Sequence, residues 1–168
     1  MDPVQKKVQQ WSKEMPNLNT KPMALISRLQ QTTKEMNGEL YTNFEDYKLT
    51  DAGFDVLATL LRAGAPHSLS PSELLEQMDI TSGTMTTRID KLEKKGLVKR
   101  KIKKNDKRSV NVGLTKKGLK LIEEAIVAHV KTQEKIVSVF DAEEQLVFIS
   151  LLQKYLAHNV KKNNKQHI

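Results

Sequence analysis

The chain has no cysteine. Disulfides, thiolate metal sites, cysteine nucleophiles and thiol-based redox sensing are therefore excluded. Aromatic residues are sparse, at 5% with a single tryptophan, and the basic region lacks the interleaved aromatics that stack on single-stranded RNA. No apolar run approaches the roughly 18 residues needed to span a bilayer. The polar stretch from Met1 to Trp11 lacks the apolar core of a signal peptide, so no membrane association and a cytoplasmic location are expected. GxSxG, P-loop and GxGxxG patterns are missing as well. His67, His129, His158 and His167 show no metal-ligand spacing with carboxylates. The expectation is a non-enzymatic protein with no cofactor and no metal.

What is present is charge, unevenly placed. The net charge is +8, and fourteen of the 28 Lys and Arg residues lie between Arg88 and Lys120, accompanied there by Asp90, Glu93 and Asp106 as the only acids. Such a block attracts a polyanion by Coulomb steering and counterion release. A length of 168 residues fits one domain with helical extensions.

Apolar spacing predicts helices over Asp2 to Glu14, about Pro22 to Phe44, and from Thr50 through Phe54, Leu57 and Leu61. Ser70-Pro71-Ser72-Glu73 is a capping box with proline at the first helical position, opening a short helix to Met78. Asp79-Ile80 makes a turn, Thr81 caps a helix over Ser82 to Lys95, and Gly96 ends it. The period then changes. Leu97–Ile102 and Ser109–Leu114 read as strands, with a polar turn over residues 103–108. Thr115 and Asp141 cap two more helices, and the polar tail from Lys161 to Ile168 is expected to fray. The predicted fold class is mostly α with a small β-hairpin wing, a winged helix-turn-helix. In such motifs the second helix enters the major groove of duplex DNA. On that helix Met85, Ile89 and Leu92 share the core side, which leaves small and hydroxylic residues outside, among them Ser82, Thr84, Thr86 and Thr87, with Lys91 beyond them. At the hairpin, Lys103, Lys104 and Lys107 suit phosphates, and Arg108 suits the electronegative minor groove with Asp106 holding its guanidinium.

The ordered series Phe54-Asp55-Val56-Leu57, Leu69-Ser70-Pro71-Ser72-Glu73-Leu74, Thr81-Ser82-Gly83-Thr84-Met85-Thr86, Arg88-Ile89-Asp90-Lys91-Leu92-Glu93-Lys94-Lys95-Gly96-Leu97-Val98, Asp106-Lys107-Arg108-Ser109 and Leu114-Thr115-Lys116-Lys117-Gly118 resembles the MarR family over roughly residues 20 to 158. The resemblance implies one MarR-type domain: dimerisation helices over 1–48, a winged helix-turn-helix over 49–115, and C-terminal dimerisation helices over 116–168. It implies a homodimeric transcription regulator of double-stranded DNA, by analogy a repressor, with Arg108 as the wing arginine. The alternative reading is an architectural protein that binds DNA without sequence preference.

Arg88 falls about 60° from Met85 on the helical wheel, at the edge of the buried side, where it needs a partner. Asp55 is the candidate. The N-terminal segment carrying Trp11 resembles MarR proteins with an extra first helix, including urate-responsive members. By that resemblance Trp11, Asp55, Arg88 and Arg100 would bind a small anionic effector, urate or a carboxylate metabolite. Three bland readings stand beside it: Trp11 as an interface anchor, Asp55–Arg88 as a structural ion pair, and Arg100 as a phosphate contact.

Overall fold

The computed structural model describes residues 2–78, 80–103 and 106–165, and the side chains of residues 43, 103–109 and 159–165 lie outside that description. Two compact units are present, Met1–His129 and Val130–Ile168.

The first unit begins with α1 (Pro3–Glu14), capped by the Asp2 carboxylate, which accepts from the Val4 amide at 2.8 Å. α2 (Lys21–Asp46) packs against it. Asp2 also forms an ion pair with Arg28 at 2.6 Å, tying the start of α1 to α2. Thr50 caps α3 (Asp51–Arg62) by accepting from Gly53 at 3.1 Å. The Ser70 hydroxyl accepts from the Glu73 amide at 3.2 Å and the Glu73 carboxylate accepts from the Ser70 amide at 2.7 Å, so the expected capping box opens α4 (Pro71–Met78). Thr81 caps α5 (Ser82–Lys94), and Gly96 follows at φ +69°, a left-handed turn that glycine adopts without steric cost. Asp79, expected in the turn between α4 and α5, lies outside the described residues.

The sheet is larger than the sequence pattern suggests. β2 (Val98–Lys103) and β3 (Asp106–Leu114) pair antiparallel as far as Lys103 opposite Asp106, with a register shift after Ile102. The polar turn expected over residues 103–108 is therefore mostly strand. Ladder hydrogen bonds are made by the backbone, so pairing continues past the last apolar residue. β1 (Ser68–Leu69) adds to the other edge of β3, giving the order β1-β3-β2. Two residues are too few to show an alternation, which is why this strand went unread.

α3, α4, α5 and the sheet enclose a core in which Val56, Leu57, Leu60, Leu74, Val112 and Ile122 have no exposed surface. Burying each such side chain contributes on the order of 1.5–3 kcal/mol. Phe44 of α2, Phe54 of α3 and His129 form a ring cluster, His129 lying 5.4 Å and 4.8 Å from the two phenyl centroids. Burial there pushes the imidazole pKa down and favours the neutral ring.

α6 (Lys116–Val137) starts against the α5–β2 corner. The Thr115 hydroxyl donates to the Gly96 carbonyl at 2.8 Å and accepts from the Gly118 amide at 3.0 Å. In the second unit Asp141 and Glu144 form another reciprocal cap, at 2.9 and 3.0 Å, opening α7 (Ala142–Lys165). α7 extends through residues 161–165, where fraying was expected. Phe140 and Phe148 pack at 5.8 Å within this unit. Among the described residues, no helix is long and apolar enough to cross a membrane.

A Cβ at Gly118 would stand 1.9 Å from the Leu97 carbonyl oxygen. The obstacle is backbone, so no side-chain rotation relieves it. Gly118→Ala should destabilise the fold by about 1–3 kcal/mol, read as a lowered urea midpoint at unchanged slope.

Candidate nucleic-acid interface

α5 is held by Met85, Ile89 and Leu92, which are 1–3% exposed. At about 100° per residue, Thr87 and Lys94 then point almost directly away from the core, with Gly83, Asp90 and Lys91 within about 55° of that direction and Thr84 within about 75°. Thr86 lies at about 90°, and Ser82 turns further towards the core side. Ser82, Thr84, Thr86, Thr87 and Lys91 are all exposed.

Two hydroxyl protons on this face, those of Thr86 and Thr87, are already used. Thr86 Oγ1 donates to the Ser82 carbonyl and Thr87 Oγ1 to the Gly83 carbonyl, each at 3.1 Å, while Thr84 Oγ1 shares a hydrogen bond with Thr81 at 2.9 Å. Thr86 and Thr87 thus present a methyl group and acceptor lone pairs outward. Gly83 sits one turn before Thr87, and a Cβ there would meet nothing within 4 Å. Its backbone is helical and its surroundings are open, so nothing among the described residues requires glycine there. A missing side chain leaves room for close approach from outside.

Two joints fix α5 to its neighbours, one on each flank. On the first, Arg88 Nη1 lies 3.7 Å from Asp55 Oδ2 of α3. Arg88 is 23% exposed and Asp55 53%. Burial raises the Asp55 pKa, and the Arg88 charge pulls it the other way. Beside this joint a cleft of about 300 Å³ opens between the start of α3, with Thr50 and Gly53, and the side of α5 carrying Arg88, Lys91, Lys94 and Lys95. Four cations and a helix N-terminus give it a positive field. Lys94 and Lys95 are not among the effector contacts expected from sequence. Their convergence with the first turn of α3 depends on tertiary packing.

On the second flank, Arg100 of β2 reaches back to α5. Its guanidinium binds Asp90 Oδ1 at 2.5 Å and also the Glu93 carboxylate. The sequence contained a signal for this: two of the three acids of the basic block, Asp90 and Glu93, stand at i and i+3 on one helix.

The four residues grouped as an effector site by resemblance do not all meet. Asp55 and Arg88 do. Arg100 is tied to residues about 140–200° around α5 from Arg88. Trp11 is 41% exposed on α1. Among the described residues, no hydrogen bond or ion pair joins it to Asp55, Arg88 or Arg100. Of the wing residues, Lys104 and the side chains of Lys103, Asp106, Lys107 and Arg108 lie outside the described part. Among the described residues, no cluster of His, Asp or Glu could hold a metal.

The MarR family model matches residues 49–110. The HTH-type transcriptional regulator PecS of Dickeya dadantii is 39% identical over 155 residues, which cover 90% of this chain and 93% of that protein. The chain belongs to the MarR family. It is accordingly a DNA-binding transcriptional regulator and not an enzyme. The HTH-type transcriptional repressor YetL of Bacillus subtilis is 27% identical over 150 residues, 89% of each chain. A mutant MarR from E. coli, complexed with operator DNA, shares the winged helix-turn-helix fold, with a TM-score of 0.68, 24% identity, and coverage of 87% of this chain and 97% of that one.

Glycine at position 83 costs helix stability that alanine would supply. Gly83→Ala should raise the thermal midpoint, since alanine is favoured over glycine in a helix by up to about 1 kcal/mol. The same variant should bind operator DNA more weakly in a fluorescence-anisotropy titration.

Proposed function

We propose that this MarR-family protein is a cytoplasmic homodimer that binds a pseudo-palindromic duplex site and represses transcription until a small organic anion releases it. The observation that carries the reading is α5 itself. Its outward face is small and hydroxylic at the N-terminal end, basic towards the C-terminal end, and rigidly oriented from behind.

In this reading Ser82, Thr84, Thr86 and Thr87 meet base edges or adjacent phosphates of the major groove, and Lys91 meets the backbone. Lys103, Lys104 and Lys107 neutralise phosphates beside the wing, and Arg108, steadied by Asp106, enters the minor groove. Repression follows from occupancy, because a bound dimer excludes other proteins from that DNA.

Exposed apolar residues support a second copy as partner. Leu25 and Ile26 on α2 are 68% and 49% exposed, and α7 leaves Leu146, Leu151 and Leu156 more than half exposed. Apolar surface of this extent marks association faces. Pairing two α5 helices matches half-sites one turn apart, about 34 Å.

The effector enters at the weaker of the two joints. An anion in the basic cleft competes with Asp55 for Arg88, and a helix released from α3 presents its face differently. Urate or a planar carboxylate suits the charge, and Trp11 would supply an aromatic face from the extra helix. The Arg88–Asp55 contact is long and half-exposed, so its rupture costs little.

The test is anisotropy at about 0.15 M salt, near physiological ionic strength, with a duplex from the region flanking the gene and a scrambled control. The expected result is selectivity of about 10³ or more, two chains per site, and release by urate. Arg88→Ala should retain DNA binding and lose the response to urate. Equal affinity for both duplexes would instead indicate an architectural protein. Full urate release from a folded Arg88→Ala variant would remove the cleft from the mechanism.

A further inference from the structure

Arg100 is held more firmly than any other cation described on the DNA-binding unit. Its Nη2 donates to Asp90 Oδ1 at 2.5 Å and its Nη1 to Glu93 Oε2. Its backbone amide donates to Glu93 Oε1 at 3.0 Å. Glu93 thus receives both the main chain and the side chain of one strand residue, and the guanidinium spans two carboxylates one helical turn apart. The hydrogen bond it donates to Asp90, followed by the one to Glu93, holds the Arg100 pKa above its ordinary value against the effect of burial. A cation committed in this way to two carboxylates has little left to offer a phosphate or an anionic ligand.

The position of the clamp matters as much as its strength. Arg100 lies on β2, three residues before Lys103, where the hairpin turns. At about 3.3 Å per residue Lys103 lies about 10 Å beyond the clamp, so a rotation of about 35° at Arg100 would carry it about 6 Å, the width of the minor groove. Asp90 and Glu93 lie on the wing-side flank of α5, and Arg88 lies on the opposite flank. A motion at the long Arg88–Asp55 joint would therefore carry helix and wing together.

We propose that Arg100 is a positioning residue that fastens the wing to the recognition helix, so that both enter adjacent grooves as one body, and that it touches neither DNA nor effector. The inference rests on the placement of α5 and the wing proposed above.

The experiment uses the full-length protein and a duplex selected by it from a randomised pool. Hydroxyl-radical footprinting separates minor-groove protection by the wing from major-groove protection at the α5 half-site. Three proteins are compared: wild type, Arg100→Met, and the double variant Asp90→Ala with Glu93→Ala. Circular dichroism confirms that each is folded. The clamp predicts that both variants lose the wing protection, keep the α5 protection, and bind about ten-fold more weakly, the worth of one charge-assisted hydrogen bond. The double variant is decisive, because it leaves Arg100 in place and makes the protein more positive by two charges. If Arg100 contacted a phosphate directly, freeing it would maintain or strengthen binding and preserve the footprint. That result overturns the proposal. So does Arg100→Met with an unchanged footprint, or with DNA binding intact and only the response to urate lost. A wild-type protein that protects the half-site but shows no wing footprint would overturn the wing reading and this inference together. Wing loss in the variants alone supports both.

Discussion

Met85, Ile89 and Leu92 insert into a core shared with α3, α4 and the sheet, and this stripe fixes the rotation of α5 about its own axis. Turning the helix by one residue in either direction would expose the stripe and bury charged side chains, Arg88 and Lys91 one way or Asp90 and Glu93 the other. The burial of three apolar side chains therefore determines which residues face outward, and everything proposed for the interface follows from that rotation. Thr87 and Gly83 face out because Met85 and Ile89 face in. Arg88 and the pair Asp90 and Glu93 are consequently placed on opposite flanks, where each meets a different neighbour.

The two flanks are unequal. Arg88 and Asp55 lie 3.7 Å apart, with half of Asp55 in solvent, whereas Arg100 makes close charge-assisted bonds to two carboxylates. In the proposed mechanism one joint yields while the other holds. The weak joint opens onto a basic cleft and the strong one onto the wing. Charge is arranged to match: the basic block supplies attraction along the DNA face, and its two helical acids are spent inward on Arg100 instead of repelling phosphates.

Much of this could be read from the chain alone, because the signals were local. Ser70 with Glu73, Thr50, Thr81, Thr115 and Asp141 each cap the helix expected of them. Helix capping depends on residues three apart, which a sequence displays directly. The Arg88–Asp55 contact was also legible, since an arginine at the edge of a buried stripe demands a counter-charge. The features that escaped are those with long-range causes. β1 is two residues long and exists only because β3 offers an edge to pair with. The hairpin runs further than its apolar pattern because backbone pairing ignores side-chain polarity. Arg100 looked like a free cation in a basic block until the hairpin folded it back onto α5. Family resemblance grouped it with Arg88, and the geometry separates the two.

The central claim is that two copies of α5, held in fixed rotation, read two half-sites on one face of DNA. Inserting five base pairs between the half-sites of a selected operator turns them to opposite faces. The measurement is the affinity of the full-length protein for this duplex relative to the parent. The account predicts a loss approaching the non-specific level, on the order of 10³-fold. Undiminished binding to the lengthened site would contradict it, because each α5 would then be reading DNA independently of a partner.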